Sequence, residues 1–94
     1  MWRSILAWRI EFSDTAVKQL NKMDSAVNKR IISFLKNRLA VIEDPRVLGK
    51  PLRGKLRDFL RYRVGDYRII CEIKDSAIEI LVLEAGHRKE VYRN

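Results

Sequence analysis

The sequence is poor in the residues on which disulfides, zinc sites and many hydrolytic sites depend. It contains one cysteine and one histidine in 94 residues. A single cysteine excludes an internal disulfide, and one cysteine with one histidine is too few for a zinc site. Paired catalytic carboxylates, a Ser-His-Asp set and a glycine-rich phosphate loop are also missing. We therefore expect a protein that binds no metal and needs no cofactor.

Long apolar stretches are missing as well. Arg3 and Arg9 interrupt the N-terminal segment, which leaves too few consecutive apolar residues for a signal peptide or a membrane span. No stretch has the composition of a linker, and no internal repeat is visible. We expect residues 1–94 to form one soluble, cytoplasmic domain without a membrane partner. Cys71 lies in an aliphatic run and is expected to be buried as a small hydrophobic residue.

Positive charge, by contrast, is abundant and unevenly placed. The formal net charge is +8, from 20 Lys and Arg residues against 12 Asp and Glu residues. Between Pro45 and Arg68 there are eight cationic residues and two aspartates, so this quarter of the chain holds six of the excess charges. A concentrated excess favours a polyanion or an acidic protein as partner, whereas an even one would serve solubility.

The hydrophobic pattern predicts an α+β domain. The segment AWRIEF alternates in the manner of a strand with one buried face. Two short amphipathic helices follow, with N-caps at Ser13–Asp14 and Asp24–Ser25 and with their cations in solvent. We expect this N-terminal strand and two-helix hairpin to precede a three-stranded antiparallel meander, with the helices packed on one face of the sheet. The strands of the meander are predicted from the runs FLRYRV, YRIICEI and AIEILVLEA.

A turn in this meander gathers arginines on one face of the sheet. The pair Gly65–Asp66 predicts a two-residue type II′ hairpin between the first two strands. Such a turn places Arg63 opposite Arg68, and alternation along the strand brings Arg61 to the same face. Three guanidinium groups are then expected together on the side of the sheet that faces away from the helices.

Folding gives no reason for this crowding. Like charges directly opposite each other destabilise a strand pair by a few tenths to about 1 kcal/mol. A bound anion gives a reason, because guanidinium forks match phosphate oxygens. The alternative is that acidic residues from elsewhere neutralise the arginines, with Glu72 and Glu79 as candidates. We favour a face that binds phosphate or an acidic peptide.

The C-terminal segment AGHRKEVYRN adds groups that can carry protons. Gly86 is expected to let the chain turn after the last strand, so that His87, Arg88 and Tyr92 emerge beside the three arginines. Such a site fits RNA cleavage in which the 2′-hydroxyl of the substrate attacks the adjacent phosphorus. RNA provides the nucleophile, and the protein orients it, stabilises charge and manages two protons.

The chain resembles the RelE/ParE superfamily of bacterial and archaeal toxins, specifically the RelE-like mRNA interferases. The likeness covers nearly the whole chain and is carried by four segments in order: WRIEFSDTAVKQLNKM, KPLRGKL, LRYRVGDYRIICEI and AGHRKEVYR. The resemblance implies the toxin of a type II toxin–antitoxin system, an endoribonuclease that enters the ribosomal A site, cuts the mRNA there and inhibits translation. It also implies an acidic RelB-like antitoxin bound in a toxin–antitoxin hetero-oligomer.

The resemblance further implies a role for each catalytic residue. Tyr92 would accept the proton of the 2′-hydroxyl, and Arg88 would stabilise or protonate the leaving 5′-oxygen. Arg61, Arg63 and Arg68 would stabilise the phosphate. Further basic residues are expected to contact RNA, the ribosome or the antitoxin, namely Arg46, Lys50, Arg53, Lys55, Arg57 and Lys89.

Several alternatives stay open. Some members of the superfamily carry lysines in place of Arg61 and Arg63, so His87 is a secondary candidate for proton transfer. A ParE-like toxin, which shares the fold but inhibits DNA gyrase without catalysis, generally lacks the pairing of Arg88 with Tyr92. A third function is RNA binding without catalysis, in which only the ring of Tyr92 would matter, for stacking.

Overall fold

The fold is a sheet with two helices packed on one of its faces. The structure is a computed structural model that describes residues 7–52, 59–87 and 89. Within these ranges the sheet has five strands: β1 (Arg9–Phe12), β2 (Lys50–Pro51), β3 (Phe59–Val64), β4 (Tyr67–Lys74) and β5 (Glu79–His87). The helical elements are α1 (Asp14–Asn21), α2 (Ser25–Ser33), a π-helical continuation of α2 (Phe34–Leu39), and two 3₁₀ segments (Pro45–Leu48 and Asp75–Ala77). This arrangement confirms the predicted α+β class.

The strand order is β1-β5-β4-β3-β2. Strands β3, β4 and β5 form the predicted antiparallel meander, and two short strands extend it at either edge. β1 runs parallel to β5, with Phe12 opposite Val82. β2 runs antiparallel to β3, with Lys50 opposite Arg61. The position of β1 and the existence of β2 were not predicted, and β2 is the strand that brings Lys50 to the sheet.

Both helices begin at the predicted caps. The hydroxyl oxygen of Ser13 accepts a hydrogen bond from the Ala16 amide at 3.0 Å and donates to the Leu83 carbonyl at 2.8 Å, which ties the start of α1 to β5. The carboxylate of Asp24 accepts from the Ala26 amide at 3.2 Å at the start of α2. In the part of the chain that the structure describes, no helix is long and apolar enough to cross a membrane.

One core lies between the helices and the sheet. Cys71 is fully buried within it, and burial raises the pKa of its thiol. The thiol is therefore held neutral, which confirms Cys71 as a packing residue rather than a nucleophile. The core consists of Ala16, Leu20, Ile31, Leu35 and Leu39 from the helical segments and Leu60, Tyr62, Ile69, Cys71, Ile73, Ile80, Val82 and Ala85 from the sheet.

The β3–β4 hairpin has the predicted register. Val64 lies opposite Tyr67, and Arg63 lies opposite Arg68. Gly65 has a φ of +61°, whereas Asp66 is not among the residues with positive φ, as a type II′ turn requires. The turn therefore fixes which side chains share each face of the sheet.

The end of β5 differs from expectation. The chain was expected to turn at Gly86, but β5 continues through Gly86, which pairs with Arg68, and ends at His87, which pairs with Tyr67. The ladder extends because the first residues of β4 still offer backbone partners at that point. A register shift beside Ile70 lets the longer strand keep its pairing.

Replacing Gly49 with alanine is expected to destabilise the fold by about 1–3 kcal/mol, the usual cost of overpacking a filled site. A Cβ atom there would lie 2.7 Å from Cε1 of Tyr62 and 3.1 Å from the Arg61 carbonyl oxygen. The Tyr62 ring cannot move aside easily, because it is 1% exposed and its hydroxyl donates to the Pro45 carbonyl at 2.8 Å. Urea denaturation of the two proteins measures the difference.

The matched control for this substitution is Val47→Ala, in the same segment at a side chain that is 68% exposed. It should leave the free energy of unfolding nearly unchanged. Equal stability of the Gly49→Ala variant and the natural protein would show that the close approach of Tyr62 is not required.

Candidate functional site

The face of the sheet away from the helices carries two like-charged pairs that lie directly across neighbouring strands. Lys50 of β2 is opposite Arg61 of β3, and Arg63 of β3 is opposite Arg68 of β4. Directly opposed residues share a face, and Arg61 and Arg63 share theirs by alternation along β3. We call these four residues the cationic face. It contains the three predicted arginines and adds Lys50.

The cationic face lines a surface depression of about 170 Å³. Its walls are the four cations and the side chain of Leu48, which precedes β2. Lys50 and Arg63 are exposed, whereas Arg61 and Arg68 are half-buried. The depression is open to solvent, and four of its five lining residues are cationic, which suits an anion.

Of the two acidic residues that were candidates for neutralising this charge, Glu72 shares the face of the arginines and Glu79 does not lie near them. Glu79 accepts a hydrogen bond from Nη2 of Arg9 at 2.6 Å, on the β1 side of the sheet. Glu72 is opposite Phe59 and forms no ion pair with any residue that the structure describes. Lys50 and Arg63 likewise form no ion pair within the described ranges. Among the described residues, neither glutamate forms an ion pair with Arg61, Arg63 or Arg68.

Arg46 has a partner far from the cationic face. Its guanidinium makes two hydrogen bonds to the carboxylate of Asp75, at 3.1 and 2.7 Å. These bonds lower the pKa of the Asp75 carboxyl and join the first 3₁₀ segment to the turn between β4 and β5. Asp75 follows the end of β4, whereas Arg68 is near its beginning, so the structure does not bring Arg46 into the site.

His87 lies on the opposite face from the arginines. It pairs with Tyr67, one step along the ladder from the pair of Arg68 and Gly86, and successive pairs face opposite sides of a sheet. Its ring meets that of Tyr67 edge-on, with centroids 5.5 Å apart. Its Nδ1 accepts a hydrogen bond from the Lys89 amide at 3.2 Å, which requires an unprotonated Nδ1. The expectation that the His87 side chain would emerge beside the arginines is therefore wrong.

The other predicted site residues lie outside the described residues. These are Arg53, Lys55, Arg57, Arg88 and Tyr92. Their roles remain predictions, and only the sequence and its resemblance bear on them. Within the described ranges, no group of histidine, cysteine and acidic side chains could hold a metal ion.

The sequence analysis did not predict that Lys50 belongs to the cationic face. Lys50 was expected to contact RNA, the ribosome or the antitoxin, but not to pair with Arg61. It lies between Gly49 and Pro51 in a segment that reads as a loop, and a two-residue strand leaves no alternation to detect. The sequence feature that pointed to Lys50 was the excess of positive charge between Pro45 and Arg68.

Comparison with known proteins identifies the class to which a chain of this fold belongs. The family model described as the ParE toxin of the type II toxin–antitoxin system parDE matches residues 10–92. The chain therefore belongs to the ParE toxin family of type II toxin–antitoxin systems.

Similar proteins and solved structures carry RelE-type names. Toxin RelG of Mycobacterium tuberculosis is 28% identical over 88 residues, which cover 94% of this chain and 99% of that protein. The solved toxin–antitoxin complex RelBE2 of the same organism matches with a TM-score of 0.79 at 27% identity, over 89% of this chain and 94% of that chain. The isolated RelE toxin of E. coli matches with a TM-score of 0.72 at 28% identity, over 92% of each chain. These matches confirm the resemblance to the RelE/ParE superfamily.

Proposed function

We propose that this toxin is an endoribonuclease that cuts mRNA in the ribosomal A site and so stops translation in the cytoplasm. The observation that supports it is the cationic face, in which two like-charged pairs line one depression. Like charges directly opposite each other weaken a strand pair, and an anion bound between them offsets that cost. RNA is an anion of the right kind, because each linkage offers phosphate oxygens to guanidinium forks.

In the proposed reaction, the 2′-hydroxyl oxygen attacks the adjacent phosphorus and the bond to the 5′-oxygen of the next nucleotide breaks. Arg61, Arg63 and Arg68 stabilise the negative charge that develops on the phosphate oxygens. Tyr92 accepts the proton of the 2′-hydroxyl, and Arg88 stabilises or protonates the leaving oxygen. Arginine is unsuited to be the base because it stays protonated, and the resemblance to RelE-like toxins supports Tyr92 of the C-terminal segment as the proton acceptor.

We propose that an acidic RelB-like antitoxin silences the toxin. Several similar structures are toxin–antitoxin complexes. RelBE of E. coli matches at 25% identity with a TM-score of 0.72, and RelE–RelB of Pyrococcus horikoshii matches at 26% identity with a TM-score of 0.71. The net charge of +8 suits an acidic partner, and a disordered acidic segment can wrap a basic surface as it folds. Lys89 and the basic residues from Arg46 to Arg57 are the proposed contacts for the antitoxin or the ribosome.

A second candidate is inhibition of DNA gyrase without catalysis. The observation that favours it is the family match itself, since that family bears the name of ParE. Under this proposal the cationic face would bind an acidic surface or DNA rather than a reacting phosphate.

Both candidates are tested with the purified protein in a cell-free translation reaction. Primer extension maps the 5′ ends of the mRNA, with and without ribosomes, and a supercoiling assay measures gyrase activity in parallel. The proposal predicts new ends within the A-site codon that require ribosomes, with gyrase unaffected. Arrest without cleavage, or equal cleavage of naked RNA, would contradict the mechanism, and loss of supercoiling would favour the gyrase reading.

A further inference from the structure

The cationic face extends further than a single phosphate requires. Its two pairs occupy consecutive same-face positions of β3, with Arg61 in one pair and Arg63 in the other. Two residues along a strand advance by about 6.6–6.8 Å, and the pairs lie on opposite sides of β3, so their centres are about 8 Å apart. Successive phosphates along an extended nucleic acid strand are somewhat closer together, and the long side chains of arginine and lysine can close the difference. The face can therefore offer one cation pair to each of two successive phosphates.

We propose that the two pairs hold two successive phosphates of single-stranded RNA. This inference rests on the proposed function and deepens it. The pair of Arg63 and Arg68 holds the phosphate that reacts, because Arg68 is opposite Gly86, two residues before Arg88 in the chain. Lys50, one step further from the end of β5, holds the neighbouring phosphate together with Arg61, which lies between the two phosphates and so also stabilises the reacting one.

The lining of the depression shows what it can recognise. The described walls consist of four cations and Leu48, with no aromatic ring on which a base could stack. Contacts of this kind fix the position of a nucleic acid without reading its sequence. The next same-face position of β3 is Phe59, opposite Glu72, so the row of cation pairs ends after two. We therefore expect the contribution of the depression itself to depend on the two charges of the RNA.

A substitution of Lys50 tests this inference separately from the proposed reaction. It is exposed, and it faces Arg61 across the edge of the sheet. Its removal should relieve a like-charge contact and leave the fold at least as stable. The same removal should weaken binding of the neighbouring phosphate and leave the reacting phosphate in place.

The test uses short RNAs whose 2′-O-methyl groups prevent cleavage, so that binding is measured apart from catalysis. A dinucleotide without terminal phosphates has one phosphate, and a trinucleotide has two. Dissociation constants are measured by NMR titration at several salt concentrations for the natural protein, for Lys50→Gln and for the control Lys36→Gln, an exposed cation of the π-helical segment. Urea denaturation of each protein confirms that it folds.

The natural protein should bind the trinucleotide more tightly than the dinucleotide. The slope of the logarithm of its association constant against the logarithm of salt concentration should be steeper by about 0.7 for the trinucleotide. Lys50→Gln should lose this gain and bind the dinucleotide unchanged, and Lys36→Gln should behave as the natural protein. Equal binding of both RNAs by the natural protein would overturn the inference. So would a Lys50→Gln variant that weakens both RNAs equally.

A change in the RNA tests which phosphate Lys50 contacts, and it has no effect on the folding of the protein. Two trinucleotides are made, each with an uncharged methylphosphonate at one of its two linkages. Lys50→Gln should cause no further loss of affinity for the trinucleotide whose neutral linkage is the one that Lys50 would contact. It should cause its full loss of affinity for the other trinucleotide. The identity of the insensitive trinucleotide also gives the direction of the RNA strand. The same loss with both would overturn the inference. The proposed function has its own test, and it fails if mRNA on programmed ribosomes is not cut.

Discussion

Replacing Tyr92 with phenylalanine is expected to lower the rate of ribosome-dependent mRNA cleavage by about 10²–10⁴-fold, the usual contribution of one positioned acid or base. The substitution removes a single oxygen, and with it the group that would accept the proton of the 2′-hydroxyl. The ring remains, so binding of a non-cleavable RNA should be unchanged. Single-turnover cleavage on programmed ribosomes measures the rate, and titration with 2′-O-methyl RNA measures the binding.

The matched control is Tyr67→Phe, which removes the same atom from a tyrosine on the face of the sheet opposite the cationic face. Tyr67 is half-buried beside the core and in contact with His87, so its hydroxyl is not expected to touch RNA. This variant should cleave at the natural rate. Unchanged cleavage by Tyr92→Phe would instead favour an RNA-binding module in which the ring serves only for stacking.

Replacing Arg63 with glutamine is expected to reduce the rate of cleavage by about 10²–10³-fold, as loss of one charge-stabilising donor does in other enzymes. Arg63 is exposed on the cationic face and forms no ion pair with the described residues, so its charge is available to the substrate. Because the interaction strengthens as charge develops in the transition state, the loss should appear in the rate of the chemical step. Single-turnover kinetics at saturating toxin isolates that step.

Arg38→Gln serves as the control for this substitution. Arg38 is an exposed arginine of the π-helical segment, near the ring of Phe34 and on the helical side of the sheet. It carries the same charge as Arg63 but lies away from the depression. Equal losses in the two variants would show that net charge, and not the cationic face, determines the activity.

The parts of the site that the sequence predicts are those set by local rules. Gly65–Asp66 fixes the register of β3 and β4, since a two-residue turn permits only one pairing of its flanking residues. Alternation then assigns Arg61, Arg63 and Arg68 to one face without any knowledge of the rest of the chain. The same local logic predicts the caps at Ser13 and Asp24.

The parts of the fold and of the site that the sequence does not predict depend on contacts between distant segments of the chain. β1 pairs with β5 through residues that are 70 positions apart, such as Arg9 and Glu79, and a four-residue strand does not specify its neighbour. β2 has two residues, so Lys50 gives no periodic signal of its place opposite Arg61. The prediction for His87 failed because it assumed a turn at Gly86, where backbone pairing with Arg68 continues the strand instead.

The most direct test of the central claim is to measure stability and cleavage together in the double variant Lys50→Gln/Arg63→Gln. This variant removes one cation from each cross-strand pair and so relieves both like-charge contacts. If the cationic face exists for RNA, the free energy of unfolding in urea should stay the same or rise, by about 0.2–1 kcal/mol for each pair, while cleavage on programmed ribosomes is lost. A variant that is less stable and still cleaves mRNA at the natural rate would contradict the account, because the four cations would then serve the fold and not the substrate.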